Sequence, residues 1–174
     1  MLENSGATSD EISGPMPGDD LFEGPAVVGT RAIDIGAEPS LVFDFLAQMG
    51  FNRAGWYSYD LLDNLGRKSA TSINQDWLVT SPGELVPGGP LDFVAVVVER
   101  PLAYVLQLPR RQALGHSVEF TLAYRLEPID SGTRLVSRVR LAVDGPAGLP
   151  LSKALLIGDG LMVRRQLRGL QERC

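Results

Sequence analysis

Cysteine and histidine are nearly missing from this sequence. Its 174 residues include one of each, Cys174 and His116. One cysteine excludes an intrachain disulfide, and the pair excludes zinc sites of the Cys₂His₂ kind, so no metal or cofactor is expected. Long hydrophobic runs are missing too. The longest, Phe93 to Val98, falls far short of the roughly 20 residues that a membrane-spanning helix needs. The first thirty residues hold no lysine, no arginine and no apolar block, which is not the pattern of a secretory signal. With 44% hydrophobic and 21% charged residues, the composition is that of an ordinary globular protein. The expectation is a single-domain, soluble, cytoplasmic protein.

Positive charge is absent from the first 24 residues, which carry Glu3, Asp10, Glu11, Asp19, Asp20 and Glu23. The net charge of −5 therefore belongs to this leader, and the rest of the chain is close to neutral. Residues 1–24 are rich in Gly, Ser, Pro and acid with scattered apolar residues. They read as a disordered acidic tail whose removal leaves stability unchanged, unless Leu21 or Phe22 docks on the body. No basic stripe with interleaved aromatics is present, so nucleic acid is not an expected partner.

From residue 25 onward the pattern is that of a folded domain. Val27 to Ile35 alternates as a strand. Glu38-Pro39-Ser40 opens a helix carrying Leu41, Val42, Phe45, Leu46 and Met49, closed by Gly50. A second short helix is expected over Trp56–Leu65, followed by an irregular stretch from Arg67 to Pro90. Four strands follow: Phe93–Glu99, Leu102–Leu108, Ser117–Glu127 and Thr133–Val143. In the third, Val118, Phe120, Leu122, Tyr124 and Leu126 make a dry face, and the intervening residues make a wet one. The last strand points Leu135, Val139, Leu141 and Val143 inward, and Arg134, Arg138 and Arg140 toward water. An amphipathic helix over about 151–171 ends the chain. Gly158 and Gly160 lie inside it, each costing about 1 kcal/mol relative to alanine, and a kink or close backbone approach would account for them. Strands grouped apart from helices predict an α+β fold, a curved antiparallel sheet of six or seven strands wrapped around the terminal helix, with two short helices after the first strand.

Four segments carry a family resemblance. Gly55-Trp56-Tyr57-Ser58-Tyr59-Asp60-Leu61-Leu62-Asp63-Asn64 resembles a stretch typical of bacterial members of the START-like superfamily. That superfamily includes polyketide cyclases, lipid-transfer domains and birch-pollen-allergen-like proteins. Phe43-Asp44-Phe45-Leu46 resembles the opening of its first helix, Thr133 to Arg140 one of its strands, and Met162 to Leu170 the end of its last helix. The resemblance spans about residues 26–173. It implies a helix-grip fold with a deep apolar cavity between sheet and final helix, and it brings no catalytic constellation that maps onto this chain. The implied partner is a small hydrophobic or amphipathic molecule such as a lipid, a polyketide or an aromatic metabolite. A cyclase or dehydratase acting in the same cavity, or a self-resistance protein sequestering a toxic apolar product, are the rival readings.

The candidate residues follow from chemistry. Trp56, Tyr57, Tyr59 and Trp77 concentrate amphipathic rings beside an irregular segment, which suits a pocket mouth and equally suits anchoring loops to the core. Phe93, Phe120 and Met162 supply apolar wall, and Tyr124 and Ser137 place hydroxyls on it that need a partner, internal or ligand. Gly158 would let the last helix approach closely. For catalysis the candidates are His116, the lone imidazole, and Asp60 with Asp63, three apart on the expected second helix, which with Asp76 could form an acid/base pair or a hard-cation site. A solvated helix face and loop caps explain the acids as well. Arg110-Arg111 could meet an acidic ligand or simply sit in a solvated loop. No Gly-x-Ser-x-Gly elbow exists, and Gly158-Asp159-Gly160 lacks the strand-turn-helix setting of a dinucleotide site.

Overall fold

Alternation along the strands decides the architecture, because every second side chain must leave water on one side of the sheet. The computed structural model describes residues 4–21, 25–113, 116–145 and 148–174. In chain order they form α1 (Ser9–Ser13), β1 (Val27–Ile35), α2 (Pro39–Ala47), α3 (Asp60–Asp63), β2 (Leu85–Pro87), β3 (Asp92–Glu99), β4 (Ala103–Ala113), β5 (His116–Ile129), β6 (Gly132–Val143) and α4 (Gly148–Gln171). The strands make one antiparallel sheet in the order β1-β6-β5-β4-β3-β2. Bulges at Ala95/Val97 and Leu108/Arg111 break the register; such bulges bend a sheet.

The inner face is the expected one. Leu122, Tyr124 and Leu126 of β5, and Leu135 and Val139 of β6, are buried in one cluster with Leu156, Val163, Leu167 and Leu170 of α4. This is the helix-grip arrangement. Gly169 lets α4 close on the loop before α3, since a Cβ there would stand 2.0 Å from the Tyr57 carbonyl oxygen. Gly158 does not have this role. A Cβ on it meets nothing within 4 Å, so the expected close approach lies eleven residues further along the helix.

Three local expectations change. The second helix is short, Asp60–Asp63 rather than Trp56–Leu65, and the irregular stretch after it contains the edge strand β2. β4 runs on to Ala113, so Arg110 belongs to a strand, where it lies 3.8 Å from Glu119 and 3.6 Å from Asp144. The side chain of Arg111 lies outside the described residues.

The largest correction concerns the leader. Residues 4–21 are not a loose tail but pack across the outer face of the sheet. Thr8 and Glu11 form a reciprocal capping box that starts α1. Asn4 Oδ1 and the Ser5 carbonyl accept hydrogen bonds from the Thr30 and Ala32 amides on the edge strand β1, which blunts that edge. Met16 is buried against Ala32, Val105, Ala123 and Val136. Leu21 adds partial contact, and Phe22 lies outside the described residues. Arginines supply the polar attachment. Arg134 forks onto Glu11 at 2.8 Å to each oxygen. Arg138, 4% exposed, donates to Asp19 at 2.7 Å, to Thr30 at 3.0 Å and to the carbonyls of Glu11, Ile12 and Gly14. The face expected to be wet is thus largely dry, with Thr121 and Ala123 buried. The chain's charge asymmetry is its own electrostatic complement.

Candidate functional site

The loop Gly55–Asn64 is built to present some side chains and hide others. Gly55 has φ +74, and a Cβ there would collide with Ser69 Oγ. Tyr57 also has positive φ (57°), held by its amide donating to Ser69 Oγ at 3.1 Å and by its buried ring. The ring packs edge-on against Phe45, the Arg173 guanidinium lies over it, and its hydroxyl accepts from Gln48 Nε2 at 2.8 Å. Burial pushes that hydroxyl far above the ordinary tyrosine range. Asp60 accepts from the Ser69 amide and hydroxyl at 3.1 and 2.5 Å and so ties the loop to its own return. Ser58 Oγ donates to the Met162 carbonyl at 3.0 Å, which fastens the loop to α4. Trp56 is left facing the interior space under that seam.

That space is a cavity of about 220 Å³ between the sheet and α4. Its walls are Trp56, Phe93, Phe120, Leu122, Met162 and Val163, with Gly88 at the rim. Trp56 and Phe93 meet edge to face with centroids 5.5 Å apart, and Phe93 and Phe120 lie 5.9 Å apart, so the three rings make one continuous aromatic wall. Four polar side chains interrupt it: Ser58, Asp63, Asp159 and Gln166. Both carboxylate oxygens of Asp63 are buried with no hydrogen-bond partner. Desolvation, with the Asp60 charge beside it, raises its pKa to about 6. Asp159 Oδ2 stands 3.7 Å from Nη1 of Arg31, which is fully buried on the inner face of β1. Desolvation raises Asp159 to about 6 against the opposing pull of Arg31. A wider hollow of about 380 Å³ lies beside α2, but it is spanned by the Asp44–Arg100 ion pair and sits away from α4.

Of the residues singled out in the sequence, Trp56, Phe93, Phe120, Met162 and Asp63 come together around the cavity. The others do not line it. Tyr57 is a core anchor, Tyr59 is 46% exposed, and Trp77 packs partly against the core. Tyr124 is buried behind Gln166, donating its hydroxyl to Oε1 at 2.6 Å, and Gln166 presents to the cavity in its place. Ser137 is buried beside it with its hydroxyl unpaired. Gly158 faces open space. His116 sits at the start of β5 with Nδ1 3.0 Å from the Asp144 carbonyl oxygen. Asp60 is a loop tie, and Asp76 lies in a 3₁₀ turn capped by Asn74, whose Oδ1 accepts from the Asp76 amide. No group of three or more His, Cys, Asp or Glu among the described residues could hold a metal ion.

Asp159, Gln166, Ser58 and Arg31 were not singled out in the sequence. One signal was present. Arg31 is in phase with Val27, Ile33 and Ile35, so the alternation that makes the strand points a guanidinium inward, where it needs a carboxylate.

Comparison with known proteins agrees with this architecture. No protein-family model matches the sequence, and no curated protein matches it. Solved structures do. A structural-genomics protein from Rhodobacter sphaeroides superposes with TM-score 0.52 at 17% identity, over 86% of this chain and 94% of that one. Another, from Mesorhizobium loti, gives 0.51 at 14% identity, over 85% and 99%. A protein from Corynebacterium glutamicum described as polyketide-cyclase-like gives 0.49 at 11% identity, over 84% and 90%. The first two likenesses show a shared fold, the helix-grip fold that the START-like resemblance implied. No helix among the described residues is long and apolar enough to cross a membrane.

Proposed function

We propose that this protein is a cytoplasmic binder of a small hydrophobic or amphipathic molecule, held between the sheet and α4. The observation that carries the reading is the continuous wall of Trp56, Phe93 and Phe120, completed by Leu122, Met162 and Val163, in a fold whose core would otherwise close over that space. Close-packed interiors leave few voids larger than a water, and an apolar cavity with a few convergent polar groups is the usual form of a small-molecule site. At about 220 Å³ it suits a single aromatic ring system or a short chain rather than a two-chain lipid.

A second reading has one observation in its favour. Asp63 and Asp159 both line the cavity with pKa values raised to about 6, the range in which a carboxyl group can give and take protons near neutral pH. A proton-transferring enzyme of cyclase or dehydratase type would use them.

The binding reading is tested with a neutral fluorescent guest, N-phenyl-1-naphthylamine, titrated into the protein and into Leu122→Trp, which fills the cavity. Saturable binding that is lost in the variant, with unchanged far-UV circular dichroism, is the expected result. Equal binding by both proteins places the guest elsewhere and overturns the assignment.

A further inference from the structure

We infer that the cavity selects a cationic guest, a protonated or quaternary amine carried on an apolar or aromatic body. This inference rests on the binding reading above and specifies its ligand class.

The argument begins with charge. Among the described residues the cavity is lined by two carboxylates and by no lysine, arginine or histidine. One carboxylate is accompanied by a cation of the protein, Asp159 by Arg31 at 3.7 Å, a separation beyond hydrogen bonding. The other is not. Neither oxygen of Asp63 has a hydrogen-bond partner in another residue, and its charged neighbour is Asp60, of the same sign. Arg165, on the flank of α4, forks instead onto Glu172 at 3.0 and 3.3 Å. A buried carboxylate without a partner is costly, and a cation entering the cavity would remove that cost.

The wall points the same way. The faces of aromatic rings carry negative electrostatic potential and attract cations, most strongly where water is excluded. Trp56, Phe93 and Phe120 put three contiguous rings in the cavity that holds Asp63. A fatty-acid or other carboxylate head would meet the opposite situation, two acids and no donor of positive charge.

The test compares three small probes of similar shape by quenching of tryptophan fluorescence: benzyltrimethylammonium, its neutral carbon isostere neopentylbenzene, and the anion phenylacetate. The expected order is ammonium over isostere by about tenfold or more, with phenylacetate weakest. Asp63→Asn should abolish the preference for the ammonium over neopentylbenzene. Neopentylbenzene binding as well as or better than benzyltrimethylammonium in the unmodified protein overturns the cation inference and leaves the cavity reading standing. That comparison needs no variant, so it decides the matter even if Asp63→Asn fails to fold. A preference that survives in a folded Asp63→Asn protein also overturns it. Failure of all three probes to bind overturns the cavity reading itself, and the inference with it.

Discussion

Arg138 holds the leader to the sheet, and removing it should cost far more than an ordinary arginine. Its guanidinium is 4% exposed and makes five hydrogen bonds, to Asp19, Thr30 and three leader carbonyls. Arg138→Ala strands those carbonyls and leaves Asp19 with Arg140 at 3.1 Å and the Met16 amide at 2.9 Å. Breaking a buried charged pair from one side costs about 3–5 kcal/mol. Because Asp19 keeps two partners and the leader can rehydrate at its rim, the lower end applies, about 3 kcal/mol. In a chain of this size that is a fall in Tm of roughly 6–12 °C. Arg110→Ala is the control: its side chain is 57% exposed and its nearest carboxylates are 3.6 and 3.8 Å away, so its change should stay within about 0.5 kcal/mol. Urea melts followed by far-UV circular dichroism give both values. Removal of residues 1–21 should destabilise as well, since it also uncovers the site of Met16. An Arg138→Ala protein no less stable than the Arg110→Ala control would refute the claim that the leader is part of the folded body.

Two glycines in α4 should respond oppositely to alanine: Gly158→Ala should stabilise by about 0.4–1 kcal/mol because nothing meets the new methyl, whereas Gly169→Ala should destabilise by about 1–3 kcal/mol against the Tyr57 carbonyl. The same urea melts check both, and a stabilised Gly169→Ala would remove the close contact from the account. Tyr124→Phe should cost about 1–3 kcal/mol of stability by leaving Gln166 Oε1 buried and unpaired, yet change N-phenyl-1-naphthylamine affinity less than Phe120→Ala does; the reverse ranking in a fluorescence titration would put Tyr124 on the cavity wall. Stability should peak between about pH 4 and 5. Asp63 and Asp159, raised to about 6 in the fold, take up protons there before they do in the unfolded chain, so stability rises as pH falls from neutrality. Glu11, held down to about 2 chiefly by its hydrogen bonds from Arg134, makes the unfolded chain the better proton acceptor below about 4.5, so stability then falls. A monotonic decline in urea-melt stability from pH 7 downward would contradict the two raised carboxylates.

The sheet was legible because its signal is local. Phe120, Leu122, Tyr124 and Leu126 alternate regardless of what packs on them, and α4 repeats with a helical period. What escaped was non-local. Whether the leader binds the sheet depends on Arg134, Arg138 and Arg140, more than a hundred residues away, and composition alone reads an acidic segment as solvated. Yet Thr8 and Glu11 have capping-box spacing, a local signal that α1 exists. The site was half legible for a related reason. Large rings such as Trp56, Phe93 and Phe120 declare themselves by type. Tyr124 and Gln166 have the reverse of their expected roles, because which one reaches the cavity is decided by a side-chain hydrogen bond across 42 residues. By residue type Tyr57 belongs with Trp56 at the mouth, but its positive φ turns it into the core.

The two faces of the sheet solve one problem in opposite ways, and the contrast bears on function. Each buries charge that water would otherwise hold. On the outer face Arg134 and Arg138 are met by Glu11 and Asp19 and by leader carbonyls. Those charges are complete, and no ligand is needed to explain them. On the inner face Arg31 and Asp159 stand 3.7 Å apart and join β1 to α4, although Asp159 Oδ2 makes no hydrogen bond and burial still raises its pKa. Asp63 breaks the pattern. It sits one turn from Asp60, whose carboxylate is fully occupied by Ser69, so the loop had a partner to offer one acid and none for the next. The outer face answers its acids with arginines of the same chain, whereas Asp63 is left open at the wall of the apolar cavity and beside three aromatic rings. Selection for stability alone would favour asparagine or leucine there, since removing an uncompensated buried charge is commonly stabilising. The stability of Asp63→Asn therefore separates two origins for the residue. If the variant is more stable and has lost the preference for a cation, the carboxylate is kept for what enters the cavity. A less stable variant would mean that Asp63 serves the fold, and the case for a charged guest would lose its strongest support.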